Sequence, residues 1–131
     1  MIQEEKDLLL QDLCARLPYG VMLKHISTEK PFKLFSIKRD EYVSYKKDSV
    51  ELAVNGIYYD WYVNDTYHDI ELYIKPYLRP MSSMTEEEYN FIYNGHNSFW
   101  VIEDYCNKHH LDYRGLIPKG LAIEAPEGMY K

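Results

Sequence analysis

The side chains best equipped for chemistry are Cys106, His109, His110 and Asp112. A cysteine and a histidine three or four positions apart occupy neighbouring faces of a helix, the spacing of a thiol and its base. Nucleophilic catalysis also needs an orienting group and oxyanion donors. The sequence offers neither, so Cys106 reads as a small buried apolar side chain. Adjacent residues on a helix point about 100° apart, so His109 and His110 do not readily share one ion. The acid pair Glu103-Asp104 reads as a solvated helix face, and His25, His68 and His96 stand alone. There is no Gly-rich phosphate loop, Gly-x-Ser-x-Gly elbow, Cys-x-x-Cys, His-Glu-x-x-His or EF-hand pattern. No catalytic residue, metal or cofactor is assigned on these grounds.

Binding is the better-supported theme. The chain holds 14 Tyr against 4 Phe and 2 Trp. Tyrosine buries a ring while its hydroxyl stays wet, which suits both half-buried strands and binding surfaces. Tyr and Arg are frequent interface anchors, so Tyr77 and Arg79 in Lys75-Pro76-Tyr77-Leu78-Arg79-Pro80, with Tyr113 and Arg114 further on, are the candidate binding residues. The competing reading is that Arg79 and Arg114 pair with the fold's own carboxylates.

Charge narrows the partner. Residues 24–47 carry seven cations against three anions, whereas 48–74 carry six anions and 85–107 five, both without Lys or Arg. The basic segment could meet a nucleic acid, but the remainder would repel a phosphate backbone, so a protein partner is expected instead. The acidic stretches could face a basic partner or solvent. No apolar run approaches the roughly 18 residues of a membrane span, and the N-terminus is acidic, unlike a secretory signal. A cytoplasmic protein with two reduced, buried cysteines, Cys14 and Cys106, is expected.

The elements that must position these residues follow from periodicity. Leu9, Leu10, Leu13 and Leu17 predict a helix over 4–17, with Arg16 near its end and Pro18 and Gly20 closing it. Residues 20–75 read as β: runs at 21–26, 32–37 and 42–45, with Lys38-Arg39-Asp40-Glu41 as a turn. Alternation over 50–54 and 57–63 around Asn55-Gly56 is the pattern of a type I′ hairpin, and a further strand covers 70–74. These predict an antiparallel meander of five or six strands, curled or closed as a small SH3-like barrel, without parallel pairing because no crossover helix fits between them. Pro76 and Pro80 predict an extended surface strap over 75–84. Thr85 and Glu88 have capping-box spacing and start a helix over 85–94 with Tyr89, Ile92 and Tyr93 as its apolar stripe. A third helix, 98–109, turns Phe99, Ile102, Tyr105 and Cys106 to one face. The tail 111–131 is irregular but carries enough apolar residues to pack. The expected fold is thus α+β, one domain over 1–131, with one N-terminal and two C-terminal helices.

Three stretches carry a resemblance: Leu8-Leu9-Leu10-Gln11-Asp12-Leu13-Cys14-Ala15-Arg16-Leu17-Pro18-Tyr19-Gly20, Ile74-Lys75-Pro76-Tyr77-Leu78-Arg79-Pro80-Met81-Ser82-Ser83-Met84-Thr85, and Leu111-Asp112-Tyr113-Arg114-Gly115-Leu116-Ile117-Pro118-Lys119-Gly120-Leu121-Ala122 with Glu124 to Tyr130. Covering roughly half the chain, they resemble a family of uncharacterised small proteins of Bacteroides-type gut bacteria and their phages or mobile elements. The family has no assigned activity. The resemblance implies a bacterial or phage cytoplasmic setting. The functions in play are a non-catalytic interaction module or accessory protein, a nucleic-acid-associated protein using 24–47, and an enzyme without a short motif.

Overall fold

The computed structural model describes residues 3–25, 30–41, 48–54, 57–62 and 74–130. The fold is α+β, and the chain divides into two compact units, Met1–Pro76 and Tyr77–Lys131. Among the described residues, no helix is long and apolar enough to cross a membrane.

The first unit opens with α1 (Gln3–Arg16), whose first turn carries Glu4 and Glu5 and whose last turn carries Arg16, as the helix dipole favours. A 3-10 turn over Leu17–Tyr19 follows, with Pro18 inside it. Gly20 ends it at φ 69°, donating its N–H to the Leu17 carbonyl at 3.4 Å. A side chain at position 20 would strain this left-handed backbone, and its Cβ would lie 2.7 Å from Cε of Lys33. The lysine stem can swing aside, so Gly20→Ala is expected to cost about 1 kcal/mol, chiefly through backbone strain, measurable by urea unfolding.

The buried stripe of α1 differs from the expected one. Leu9, Asp12, Leu13 and Arg16 are buried, while Leu10 and Leu17 are only partly so and Cys14 is exposed. The spacing i, i+3, i+4, i+7 is helical, as anticipated, but its register includes an acid and a base. These two neutralise each other one helical turn apart: Nε of Arg16 donates to both oxygens of Asp12, at 3.0 and 2.9 Å. Cys14 therefore departs from the buried reading given to both cysteines, because it lies off this stripe.

Strands β1 (Met22–His25), β2 (Phe32–Glu41), β3 (Asp48–Val54) and β4 (Ile57–Tyr62) pair antiparallel in succession. Val54 pairs with Ile57, so two residues join these strands, as the hairpin pattern requires. The Asn55-Gly56 turn itself, the run at 42–45 and most of the strand at 70–74 lie outside the described residues. The turn expected at 38–41 is instead the end of β2, paired with 48–51 of β3. Charged residues retain their backbone donors and acceptors, and none of these four is a Gly, Pro or Asn that would favour a break.

The expected meander and barrel are corrected by the next strand, β5 (Ile74–Leu78). Its residues 74–76 pair antiparallel with β1, not with β4, so the sheet stays open. Pairing there satisfies the edge of β1 that β2 leaves unpaired.

In the second unit, Tyr77 and Leu78 of β5 pair in parallel with β6 (Ile123–Glu124). Parallel pairing was not expected, because no crossover fits between successive strands of the β region. The crossover instead runs through both C-terminal helices, which supply the length it needs. The surface strap is corrected accordingly: its first residues are strand, and Pro76 and Leu78 are buried. A 3-10 turn over Met81–Ser83 then leads to α2 (Glu86–Tyr89). The capping box is present in both directions: the Glu88 N–H donates to Oγ1 of Thr85, and the Thr85 N–H donates to Oε1 of Glu88.

Rather than continuing to residue 94 as a regular helix, the chain widens into a π turn over Asn90–Asn94. Helix α3 (Phe99–Lys108) follows. Ile92, Cys106 and Leu111 form the buried cluster, with Phe91, Ile102, Tyr105 and Tyr113 packed against it. The tail contributes buried Leu116, Leu121 and Ala122. Asp112 holds the tail's first turn, accepting the N–H groups of Leu116 and Ile117 at 2.8 and 2.9 Å.

Candidate functional site

All four residues anticipated as binding anchors belong to the second unit, where Arg79, Tyr113 and Arg114 have internal side-chain partners and Tyr77 is held through its backbone. Arg79 is placed by backbone bonds on both sides: its N–H donates to the His110 carbonyl at 2.7 Å, and its carbonyl accepts from Asp112 at 2.8 Å. Its guanidinium grips Glu88 in a fork, Nη2 to Oε1 at 2.6 Å and Nη1 to Oε2 at 2.8 Å. The same two nitrogens also donate to the carbonyls of Ser83 and His109, at 3.0 and 3.2 Å. Three chain segments are thereby tied to one side chain.

The Glu88 carboxylate is nearly buried, and its pKa is lowered to about 2. The Arg79 hydrogen bonds are the main cause. Burial opposes them, while the Thr85 N–H and the positive charge nearby assist. A carboxylate held that low stays ionised and does not exchange protons near neutrality, so it is a poor general acid or base.

Arg114 and Tyr113 form a second, smaller knot. Nη2 of Arg114 donates to Oε1 of Glu103 at 3.1 Å and Nη1 to Oδ1 of Asn107 at 3.3 Å. The Tyr113 hydroxyl reaches the same two acceptors, and the Arg114 guanidinium sits 4.4 Å from the Tyr113 ring centre. Tyr77 accepts a hydrogen bond at its carbonyl from the Tyr130 hydroxyl. The competing reading of the two arginines, pairing with the fold's own carboxylates, is what the geometry displays.

The chemistry-bearing cluster near residue 106 is likewise dispersed. Cys106 is 1% exposed. His110 leaves the helix at φ 61° and stacks on Tyr130, ring centres 3.6 Å apart. Histidine tolerates this left-handed conformation better than most side chains. His109 lies against Tyr105, with Nδ1 3.5 Å from Glu88. Among the described residues there is no group of three or more His, Cys, Asp or Glu that could hold a metal.

Two features that sequence reasoning missed remain open to ligands. A cavity of about 600 Å³ lies beside the Arg79–Glu88 pair, closed on its other side by residues 124–130. The second is aromatic: Tyr89, Tyr93, Phe99, Trp100 and Val101 are 45–78% exposed. Tyr89, Tyr93 and Phe99 were assigned by periodicity to apolar helix faces. Phe99 opens α3, while Tyr93 lies within the π turn. Its only buried side chain is Ile92, while Tyr89 and Tyr93 pair with each other outside, ring centres 4.8 Å apart. Phe99 and Trp100 face each other edge-on at 6.1 Å.

The segment joining these pairs is tightly built. Asn97 donates to the Phe91 carbonyl at 3.0 Å. A Cβ on Gly95 would lie 2.8 Å from that same carbonyl oxygen, so only glycine permits the approach. His96 is held at φ 53°. Comparison with protein-family models, with curated proteins and with solved structures finds no match to this chain.

Proposed function

We propose that this chain is a non-catalytic protein-interaction module, serving as an accessory protein of a bacterial mobile element or phage. Its docking surface is the aromatic stretch 89–101. The observation that carries this reading is the exposure of Trp100 at 78% and Phe99 at 68%, alongside Tyr89, Tyr93 and Val101. Large aromatics left in water are costly to keep there, and interface hot spots draw on the same residue types. π turns and non-glycine residues at positive φ concentrate at functional sites, and both occur between Tyr89 and Phe99.

Charge specifies the partner. Glu86, Glu87 and Asp104 are exposed around this surface in sequence, and residues 85–107 contain no Lys or Arg. A partner segment rich in Arg or Lys with aliphatic neighbours complements both the carboxylates and the ring faces. Arg79 and Arg114 are held by internal carboxylates, which favours the aromatic stretch over these two as the docking surface.

The test uses fluorescence anisotropy with labelled 15-residue peptides of graded net charge and aliphatic content, and a single-stranded oligonucleotide alongside. Retention of cationic, aliphatic peptides is expected, with at least a tenfold loss in the Phe99→Ser/Trp100→Ser variant at unchanged Tm. Binding that the double substitution leaves intact, an equal response across the panel, or a preference for the oligonucleotide would overturn the reading.

A further inference from the structure

We propose that the cavity between the Arg79–Glu88 pair and the 124–130 segment is a binding site for an organic cation, a guanidinium or primary ammonium on a short apolar stem.

The cavity has about 600 Å³, within the range of small-molecule sites. Its walls are pre-formed. On one side, Glu88 is locked by the fork from Arg79 and by the Thr85 N–H. On the other, the Ala125 N–H donates to the Leu78 carbonyl at 2.7 Å, and the Met129 N–H to the Pro126 carbonyl at 3.1 Å. The Tyr130 ring is fixed at both ends, stacked on His110 and bonded through its hydroxyl to Tyr77. A pocket whose walls are already held loses little freedom on binding.

The sign of the ligand follows from the lining. Among the described residues, Arg79 is the one cation in it, against Glu88, Glu124 and Glu127. Both terminal nitrogens of Arg79 already donate to Glu88 and to backbone carbonyls. An anionic ligand would therefore meet a neutralised arginine and two further carboxylates. Among the described residues, the side chains of Glu124 and Glu127 have no hydrogen bond or ion pair, although the Glu124 backbone is paired with Leu78. A cation entering the cavity meets two exposed carboxylates that no side chain among the described residues already engages. Its stem meets Pro126, Met129 and Tyr130 of the lining.

The cation can arrive free, as a small amine or guanidine, or as an Arg or Lys side chain of a peptide. Amide chemical shifts of ¹⁵N-labelled protein, followed by NMR, separate these sources. Butylguanidinium and butylammonium are expected to shift the amides of 124–130 with roughly millimolar affinity, as fits so few heavy atoms. Neutral butylurea and anionic valerate are expected to do so at least tenfold more weakly. A pentapeptide with a central Arg that binds far more tightly than butylguanidinium identifies a peptide as the source, and equal affinity identifies the free molecule. Glu124→Gln/Glu127→Gln, two exposed positions, should weaken cation binding about tenfold at unchanged Tm and remove most of its salt dependence. Phe99→Ser/Trp100→Ser should leave it untouched, which separates this site from the aromatic surface. The assignment is overturned if butylguanidinium shifts none of these amides at about 20 mM, if butylurea matches it, or if the double glutamine variant binds as the parent does.

Discussion

Asp12→Ala is expected to lower unfolding stability by about 3–5 kcal/mol. Asp12 and Arg16 are both fully buried, and the carboxylate takes the Arg16 Nε at both oxygens. Deleting the carboxylate removes a bonded countercharge from a guanidinium with no direct access to water. Native proteins have only about 5–15 kcal/mol in hand, so a fall in Tm of roughly 10–20 °C should be visible by circular dichroism. Asp12→Asn keeps the shape and one acceptor and should fall between the two. Replacing both partners, Asp12→Leu with Arg16→Met, should recover most of the loss, because a well-packed apolar pair avoids the desolvation cost of two buried ions. A change in Tm under about 3 °C for Asp12→Ala would show that water or another acid already serves Arg16.

Arg79→Met comes second, at about 2–4 kcal/mol. The loss is smaller per charge, because the Arg79 side chain is 22% exposed and water can partly replace it. It is broad, because the same substitution strands Glu88 and two carbonyls on separate segments. Arg79→Lys keeps the charge without the fork and should recover about half. The pH dependence has a fixed sign. Glu88 titrates at about 2 in the folded chain, against an ordinary value of 4.5. Its contribution is therefore complete above about pH 4.5 and disappears as pH falls towards 2. Urea unfolding of the parent and of Glu88→Gln should show a stability gap that is widest above pH 5 and closes near pH 2. A gap that stays constant across this range would mean that the carboxylate charge plays no part in holding Arg79.

Both predictions concern ion pairs, and the sequence exposed neither as a pair. Asp12 and Arg16 have i, i+4 spacing, which is visible, but such pairs usually face water and count for little. Nothing local distinguishes a buried pair from an exposed one. The stripe Leu9, Asp12, Leu13, Arg16 and the stripe Leu9, Leu10, Leu13, Leu17 are both helical, and packing selected the less apolar of the two. Glu88 was legible as half of a capping box. Its second role, as the partner of Arg79, depends on a 3-10 turn over Met81–Ser83 that brings the two together.

The same division runs through the candidate surfaces. Periodicity placed Tyr89, Tyr93 and Phe99 against a core, and all three are exposed, Tyr93 within the π turn over Asn90–Asn94. Hydrogen-bond patterns wider than i→i+4 have no clear residue signature, so the π turn was not available from spacing. The cavity depends on Glu124 and Glu127 reaching the Arg79 region through a parallel β5–β6 pairing. The tail's turn-rich composition concealed that short strand.

By itself, then, the sequence determined what is decided over four or five consecutive residues: where α1 and α3 run, the capping box at Thr85 and Glu88, the left-handed stop at Gly20, and the two-residue spacing between β3 and β4. These rest on backbone preferences and near-neighbour hydrogen bonds that travel with the chain. Tertiary structure alone decided which helical face is buried, whether β5 pairs with β4 or with β1, and which carboxylate meets each arginine. Those outcomes compare burial and pairing energies between segments far apart in sequence, and the comparison exists only once the segments are in contact.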